Sequence, residues 1–356
     1  MLYLLSSIKH NVYKYKYYQT IMEQKRNQIF IPTVAEFAGD IQTSLDIQKP
    51  LFDAGFKPGL MVVVRKGIFG VTNPDVVKKQ YDNLSKIANQ YGDSDVVVML
   101  ANLPLKDIDT LHNSGLAFDH IKAGIDFARA LPIGNKRTLT FHLNSLVSES
   151  EFKSKTRTQW YEEFDKTIVP VLDRVSKAAG GVEVLIETVP TPEFGDDAKD
   201  NKETYNGTQR RELRNPFYVF GNNLIGSRIK QAGLGICTDL CHNRTIYRQA
   251  LSGNKQGVLF PEDAEHIKII NNVGDRLVID VLSSQLVHLN DGRGDYNHEG
   301  EHFEEGVALG QGDIPNLKQI NAIIASTKKP FVFEINETDF ANRPNTKASI
   351  DYVLKN

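Results

Sequence analysis

The chain has 356 residues, 40% of them hydrophobic, and a net charge of −2, which allows one large core and gives no electrostatic case for nucleic acid. Two cysteines, Cys237 and Cys241, cannot form a disulfide framework, and no apolar run approaches the roughly 18–20 residues of a bilayer span. A cytoplasmic protein with reduced, buried thiols and no membrane partner is expected.

Residues 1–27 are rich in tyrosine and carry Lys9, Lys14 and Lys16 before the first acid, Glu23. They are expected to be a disordered extension, or a leader ahead of Met22, and residues 28–356 the single folded domain. Within that domain short apolar runs alternate with amphipathic stretches. Ile29-Phe30-Ile31 is the first predicted strand, followed by a helix from Asp40 to Ala54 disturbed by Pro50. Leu60 to Val64 is β-branched and too short for a helix, so it reads as a buried strand. Pro74 opens a predicted helix over 75–90, with Asn73 as its cap.

Asp95 to Leu100 is the third strand, and a helix from Leu116 to Ala130 follows. The fourth strand, Arg137 to Phe141, ends on His142. A helix from Thr158 to Ala179 contains the only tryptophan, Trp160, and stops at Gly180-Gly181. Val182 to Ile186 ends on Glu187, and a long polar loop runs over 190–215. Tyr218 to Gln231 is predicted helical, and Leu234 to Cys237 is the sixth strand, leading into Thr238-Asp239-Leu240-Cys241-His242. After a helix from Pro261 to Asn271, Gln285-Leu286-Val287 ends on His288. Asn290, Asp291 and Arg293 follow, then a polar loop with His298, Glu301 and His302 that closes on Gly310-Gln311-Gly312. The remaining predicted elements are a helix from Asn316 to Ser326, the strand Phe331-Val332-Phe333 ending on Glu334, and a helix from Thr346 to Leu354.

Eight strands alternating with helices at this length argue for an α/β fold, a closed (β/α)8 TIM barrel in one domain. No G-x-G-x-x-G or P-loop pattern follows the early strands. In a barrel, His142, Glu187, Asp239, His288 and Glu334 all emerge at one rim, each about one βα unit from the next. Carboxylates converging there repel unless something positive lies between them. A divalent cation is the economical answer, and carboxylate oxygens with imidazole suit Mn, Mg, Co or Zn. Asp239-x-x-His242 adds a second imidazole one helical turn on, and Arg293 is a candidate for a charge-assisted bond to a substrate oxygen. Any of these residues alone reads more simply as a hydrogen-bonded strand end; the regular set is what points to a metal.

Glu187 in LIET, Asp239 and His242 in TDLCH, His288 in VHLND, the G-x-G segment and Glu334 in FVFEIN resemble the xylose-isomerase-like TIM barrels over roughly residues 28–354. That superfamily includes sugar isomerases and epimerases and apurinic-site endonucleases. In the isomerase branch the resemblance implies one divalent metal held by Glu187, Asp239, His288 and Glu334. It also implies that Glu187 and Glu334 exchange protons with the substrate carbon through an enediolate, and that His142, His242 and Arg293 bind substrate. The endonuclease branch implies a trinuclear zinc cluster. His142 and the HLND segment resemble it, whereas Met99 at the third strand end and Glu301-His302 in the loop depart from its ligand pattern.

The expected function is a metal-dependent isomerase or epimerase of a small polyhydroxy carbonyl compound, compatible with a homo-oligomer. The alternatives are a zinc-dependent apurinic endonuclease, which alone would take nucleic acid, and a non-catalytic metabolite-binding barrel.

Overall fold

The computed structural model describes residues 27–33, 38–57, 59–64, 78–79, 82–86, 95–100, 109–132, 134–143, 145–189, 204–205, 208–209, 212–221, 223–255, 257–269, 272–294 and 304–356. Eight parallel strands close into a barrel: β1 (Ile29–Thr33), β2 (Gly59–Val64), β3 (Asp95–Leu100), β4 (Arg137–His142), β5 (Glu183–Glu187), β6 (Gly235–Asp239), β7 (Leu286–His288) and β8 (Phe331–Val332). Neighbours around the ring follow chain order, and β8 pairs with β1 through Ile29↔Phe331 and Phe30↔Val332. The (β/α)8 barrel read from the alternation is the fold of the protein. Residues 1–26 of the expected 1–27 extension, and His298, Glu301 and His302, lie outside the described residues, whereas Asn27 is buried beside the barrel.

Alternation along the strands divides the apolar side chains into two layers. Phe30, Met61, Val97, Met99, Leu185 and Leu286 are among those filling the barrel interior. The opposite faces pack under the helices in a second, larger core that includes Trp160, Phe164 and Phe217. Trp160 is fully buried, and its indole donates to the Phe152 carbonyl at 3.1 Å.

Several helices differ from expectation for local reasons. Asp40 to Ala54 is not one helix but two, Ala38–Asp46 and Lys49–Asp53, because Pro50 fits the first turn of a new helix and not the interior of a continuing one. Of the helix predicted over 75–90, residues 78–79 and 82–86 are helical and the rest lies outside the described residues. Thr158 to Ala179 starts earlier, at Arg157 behind a Thr156/Gln159 capping box, and passes through a π turn at Phe164–Ile168. Tyr218 to Gln231 is helical only from Leu224. Gly221 sits at φ +50°, and the Asn223 side chain caps Gly226 N at 3.0 Å.

Three described helices were not anticipated, the first being the short Glu149–Ser154 behind its Ser148 cap. Leu240–Leu251 is buried on nearly every side and so shows no amphipathic stripe, and Val273–Ser283 runs into the approach to β7. The polar stretch after β7 also folds, into an antiparallel hairpin pairing Asp291–Arg293 with Glu304–Val307.

Candidate metal centre

Strand register brings the polar strand ends together. His142 pairs with Glu187 across β4 and β5, and Asp239 with His288 across β6 and β7. Cys237 pairs with Glu187 and Val332 with His288, so Asp239 and Glu334 each lie two residues further along the same inward face. Asp239 ends β6 and at once caps the helix Leu240–Leu251, accepting from His242 N at 2.8 Å. That turn carries His242 onto the rim.

Ligand atoms of Glu187, Asp239, His288 and Glu334 lie within 4.8 Å of one another. His288 Nδ1 is 2.6 Å from Glu334 Oε2 and 3.2 Å from Glu187 Oε1. Yet neither of these His288 contacts is an aligned hydrogen bond. Both Glu187 oxygens, both His288 ring nitrogens and Glu334 Oε2 are buried without a hydrogen-bond partner. A buried carboxylate with no donor is costly, and a group of acceptors sharing that lack is a fit for a cation. Asp239 is better provided for: Oδ1 accepts from His242 N and Oδ2 from Asn290 Nδ2 at 2.6 Å. Asn290 thus sets the orientation of the carboxylate from outside the cluster.

The electrostatics follow the same division. Burial opposes ionisation of Glu187, but the His288 and His142 imidazoles outweigh it and hold the carboxyl well below its usual range. Glu334 is likewise lowered, burial being offset by His288. Asp239 is pushed up to about 8, because burial dominates over the nearby His242 and the Glu334 and Glu305 carboxylates add to it. Burial disfavours charge on His288 and His242, but the surrounding carboxylates raise both well above an ordinary histidine, with Cys237 also contributing at His288.

The remaining predicted residues divide. His142 joins the cluster, with Nε2 3.1 Å from Glu187 Oε1 and its ring edge-on to His242 at 5.6 Å. In His242, Nδ1 lies 2.7 Å from the Thr188 carbonyl and Nε2 lies 2.7 Å from Glu305 Oε1, so both ring nitrogens are engaged. Arg293 does not come into the cluster. It is half-exposed on the hairpin and pairs with Glu304 at 2.6 Å. Met99 packs in the apolar barrel interior and offers no ligand.

Sequence reasoning missed Glu305. It follows no barrel strand, and only the hairpin brings it to His242, forming a third cluster with Asp239. The available signal was the G-x-G segment. Gly310 N and Gly312 N donate to Asp291 Oδ2 at 2.9 and 3.0 Å, while Gly292 N and Ile314 N donate to Oδ1 at 2.9 and 3.2 Å. A Cβ on Gly312 would collide with that carboxylate and the Gly292 carbonyl. The glycines therefore let Asp291 close the hairpin that holds Glu305.

A closed (β/α)8 barrel with a carboxylate–imidazole quartet at the carboxyl ends of its strands is the class defined by this geometry. No protein-family model matches the chain, and a search of curated proteins finds no match. Among solved structures the chain is similar to the xylose isomerase domain protein from Planctomyces limnophilus, at 13% identity and TM-score 0.50, over 93% of this chain and 95% of that one. It is also similar to a sugar phosphate isomerase/epimerase from Parabacteroides distasonis (11% identity, TM-score 0.45, 92% of this chain and 95% of that one). A third is SacUVDE (7%, TM-score 0.45, 93% and 99%). At these identities the likeness is one of fold, the closed (β/α)8 barrel.

Proposed function

We propose that the chain is a divalent-metal-dependent isomerase or epimerase of a small polyhydroxy carbonyl compound. The observation that carries this reading is the quartet at the barrel mouth, in which Glu187 and His288 are buried and their polar atoms make no aligned hydrogen bond. Glu187, Asp239, His288 and Glu334 would hold one ion, with Mn, Mg, Co or Zn suited to the donor set. Such an ion would polarise adjacent oxygens of a bound substrate and acidify the C–H between them.

Glu187 and Glu334, both held below the usual carboxyl range, are then ionised at neutral pH and able to accept a proton from carbon and return it. Asn290 and the helix-capping contact to His242 N fix the Asp239 carboxylate, so it serves as a ligand and not as a base.

Metal analysis of the purified chain should give about one equivalent. Incubation with free pentoses and hexoses in deuterated water should show loss of the carbon-bound proton next to the carbonyl by NMR. A metal-loaded protein that exchanges no such proton in any of these sugars sinks the reading.

His142 beside Glu187 and the three overlapping ligand clusters favour a second reading, a multi-ion endonuclease for abasic DNA. Three equivalents of zinc and nicking of an abasic duplex would establish it.

A further inference from the structure

The sequence points to His242 as a substrate ligand, but the geometry points to a different division of labour. We propose that Glu305 is the substrate-contacting carboxylate on this side of the mouth and that His242 is its positioning residue. The inference rests on the isomerase reading above.

Three observations carry it. The first is the use of the imidazole. The Thr188 carbonyl can only accept, so His242 Nδ1 donates to it at 2.7 Å, and the other nitrogen faces Glu305 Oε1 at 2.7 Å. The ring spans a fixed backbone carbonyl and a hairpin carboxylate, and neither nitrogen is left for a ligand. The second is exposure. The His242 side chain is 7% exposed and that of Glu305 22%, so a molecule entering the mouth meets the carboxylate first.

The third is that Glu305 is held in place from several sides. Its backbone carbonyl accepts from Asn336 Nδ2 at 2.7 Å, and the Gly306 carbonyl accepts from Asn336 N at 2.7 Å. Gly292 pairs with Glu305 across the hairpin, and Asp291 gathers the hairpin base through four backbone N–H groups. Arg244 adds a contact to the Gly294 carbonyl at 2.9 Å and pairs with Asp313. With its backbone fixed by so many neighbours and its carboxylate held by His242, Glu305 is pre-organised, as a group that orients a substrate must be.

The contrast with the quartet argues for this role over that of a second ion site. Atoms without hydrogen-bond partners gather on Glu187, His288 and Glu334, whereas the His242 ring and both Asp239 oxygens already have them. A carboxylate offers acceptors only, so Glu305 selects a hydroxyl at this point of the substrate and disfavours a phosphate or carboxylate. The substrate is accordingly one with a free hydroxyl facing Glu305.

The test uses the full chain loaded with magnesium and the free sugars D-fructose and D-xylose, with binding read by saturation-transfer NMR. Glu305→Ala should weaken binding of the better sugar by about ten- to hundredfold, the loss expected for one hydrogen bond to a charged group. Glu305→Gln, which keeps one acceptor, should recover part of it. Metal content and melting temperature should stay at the wild-type values. His242→Ala should weaken binding in the wild-type background and have little further effect when Glu305 is already alanine, because it acts through that residue.

Unchanged binding in both Glu305 variants overturns the inference and leaves the isomerase reading standing. A drop in metal content on Glu305→Ala overturns it in favour of a second ion. Additive losses from His242 and Glu305 overturn the positioning role. A metal-loaded wild-type chain that binds neither sugar removes the isomerase reading and this inference with it.

Discussion

The two ends of the barrel treat charged side chains in opposite ways. At the amino ends of the strands Lys57 pairs with Asp95 at 3.1 Å and Lys136 with Glu183 at 2.9 Å, and Thr138 Oγ1 donates to Glu183 at 3.2 Å. Asp95, Lys136, Thr138 and Glu183 border a cavity of about 190 Å³ beside Phe30, Leu286 and Pro330, and each of these charges has a partner. At the carboxyl ends, Glu187 and His288 are fully buried and their polar atoms lack aligned partners. Leaving a buried polar group unsatisfied costs about 1–3 kcal/mol, and more if charged. A fold tolerates that where the unsatisfied atoms serve a ligand. The same residue types are therefore paired at one pole and left short of aligned partners at the other.

The strongest way to break this comparison is to remove a carboxylate from the mouth without changing its shape. Glu187→Gln and Glu334→Gln should each lower proton exchange at the sugar carbon by about 10²–10⁴-fold, the usual contribution of a positioned acid–base group. Circular dichroism should show the barrel intact in both. Exchange at the wild-type rate in either variant would end the proton-transfer role of that residue.

Asp280 sharpens the comparison, because it is buried like the mouth and satisfied like the opposite pole. It accepts from Gly221 N at 2.7 Å and Asn243 Nδ2 at 2.6 Å, and also from the Tyr247 hydroxyl. Burial still outweighs those donors and pushes its carboxyl up to about 6. A folded-state value above the unfolded one, about 3.9, means that the native protein holds the extra proton between roughly pH 4 and 6. The contribution of Asp280 to stability is thus fullest below pH 4, falls as pH rises through 6, and is flat above. The stability difference between wild type and Asp280→Asn should shrink by about 3 kcal/mol across that window. Urea unfolding of both proteins from pH 4 to 7 checks this, since other carboxylates cancel in the difference. Parallel profiles would show that Asp280 titrates normally.

The fold was legible because each barrel strand is a short β-branched or aromatic run, and Val96, Val97 and Val98 could hardly read otherwise. The quartet was legible because strand ends recur at a regular interval. What stayed hidden depended on tertiary contacts. Leu240–Leu251 is polar by composition yet buried, its Arg244 and Asn243 reaching Asp313 and Asp280 in distant parts of the chain. Glu305 reaches the site only through a hairpin whose closure depends on Asp291 and two glycines. Arg293 looked like a ligand from its place after β7, but the hairpin's twist turns it to Glu304. Sequence spacing finds residues on strands; it does not find residues delivered by an irregular loop.

The smallest expected effect lies at the opposite pole. Lys136 and Glu183 form an exposed pair, with 54% and 33% of their side chains accessible, so solvent screens most of their attraction. Their coupling in a double-mutant cycle of Lys136→Met and Glu183→Gln should be no more than about 1 kcal/mol. Metal content and proton exchange should be unaffected, because the apolar layer of Met61, Val97 and Leu185 separates this pair from the quartet. Thr140, in register with Met99 and Leu185, and Cys237 add polar atoms to that layer but no charged side chain. A tenfold loss of metal affinity on Lys136→Met would mean that the barrel interior transmits strain between its ends, and the contrast between the two poles would fail.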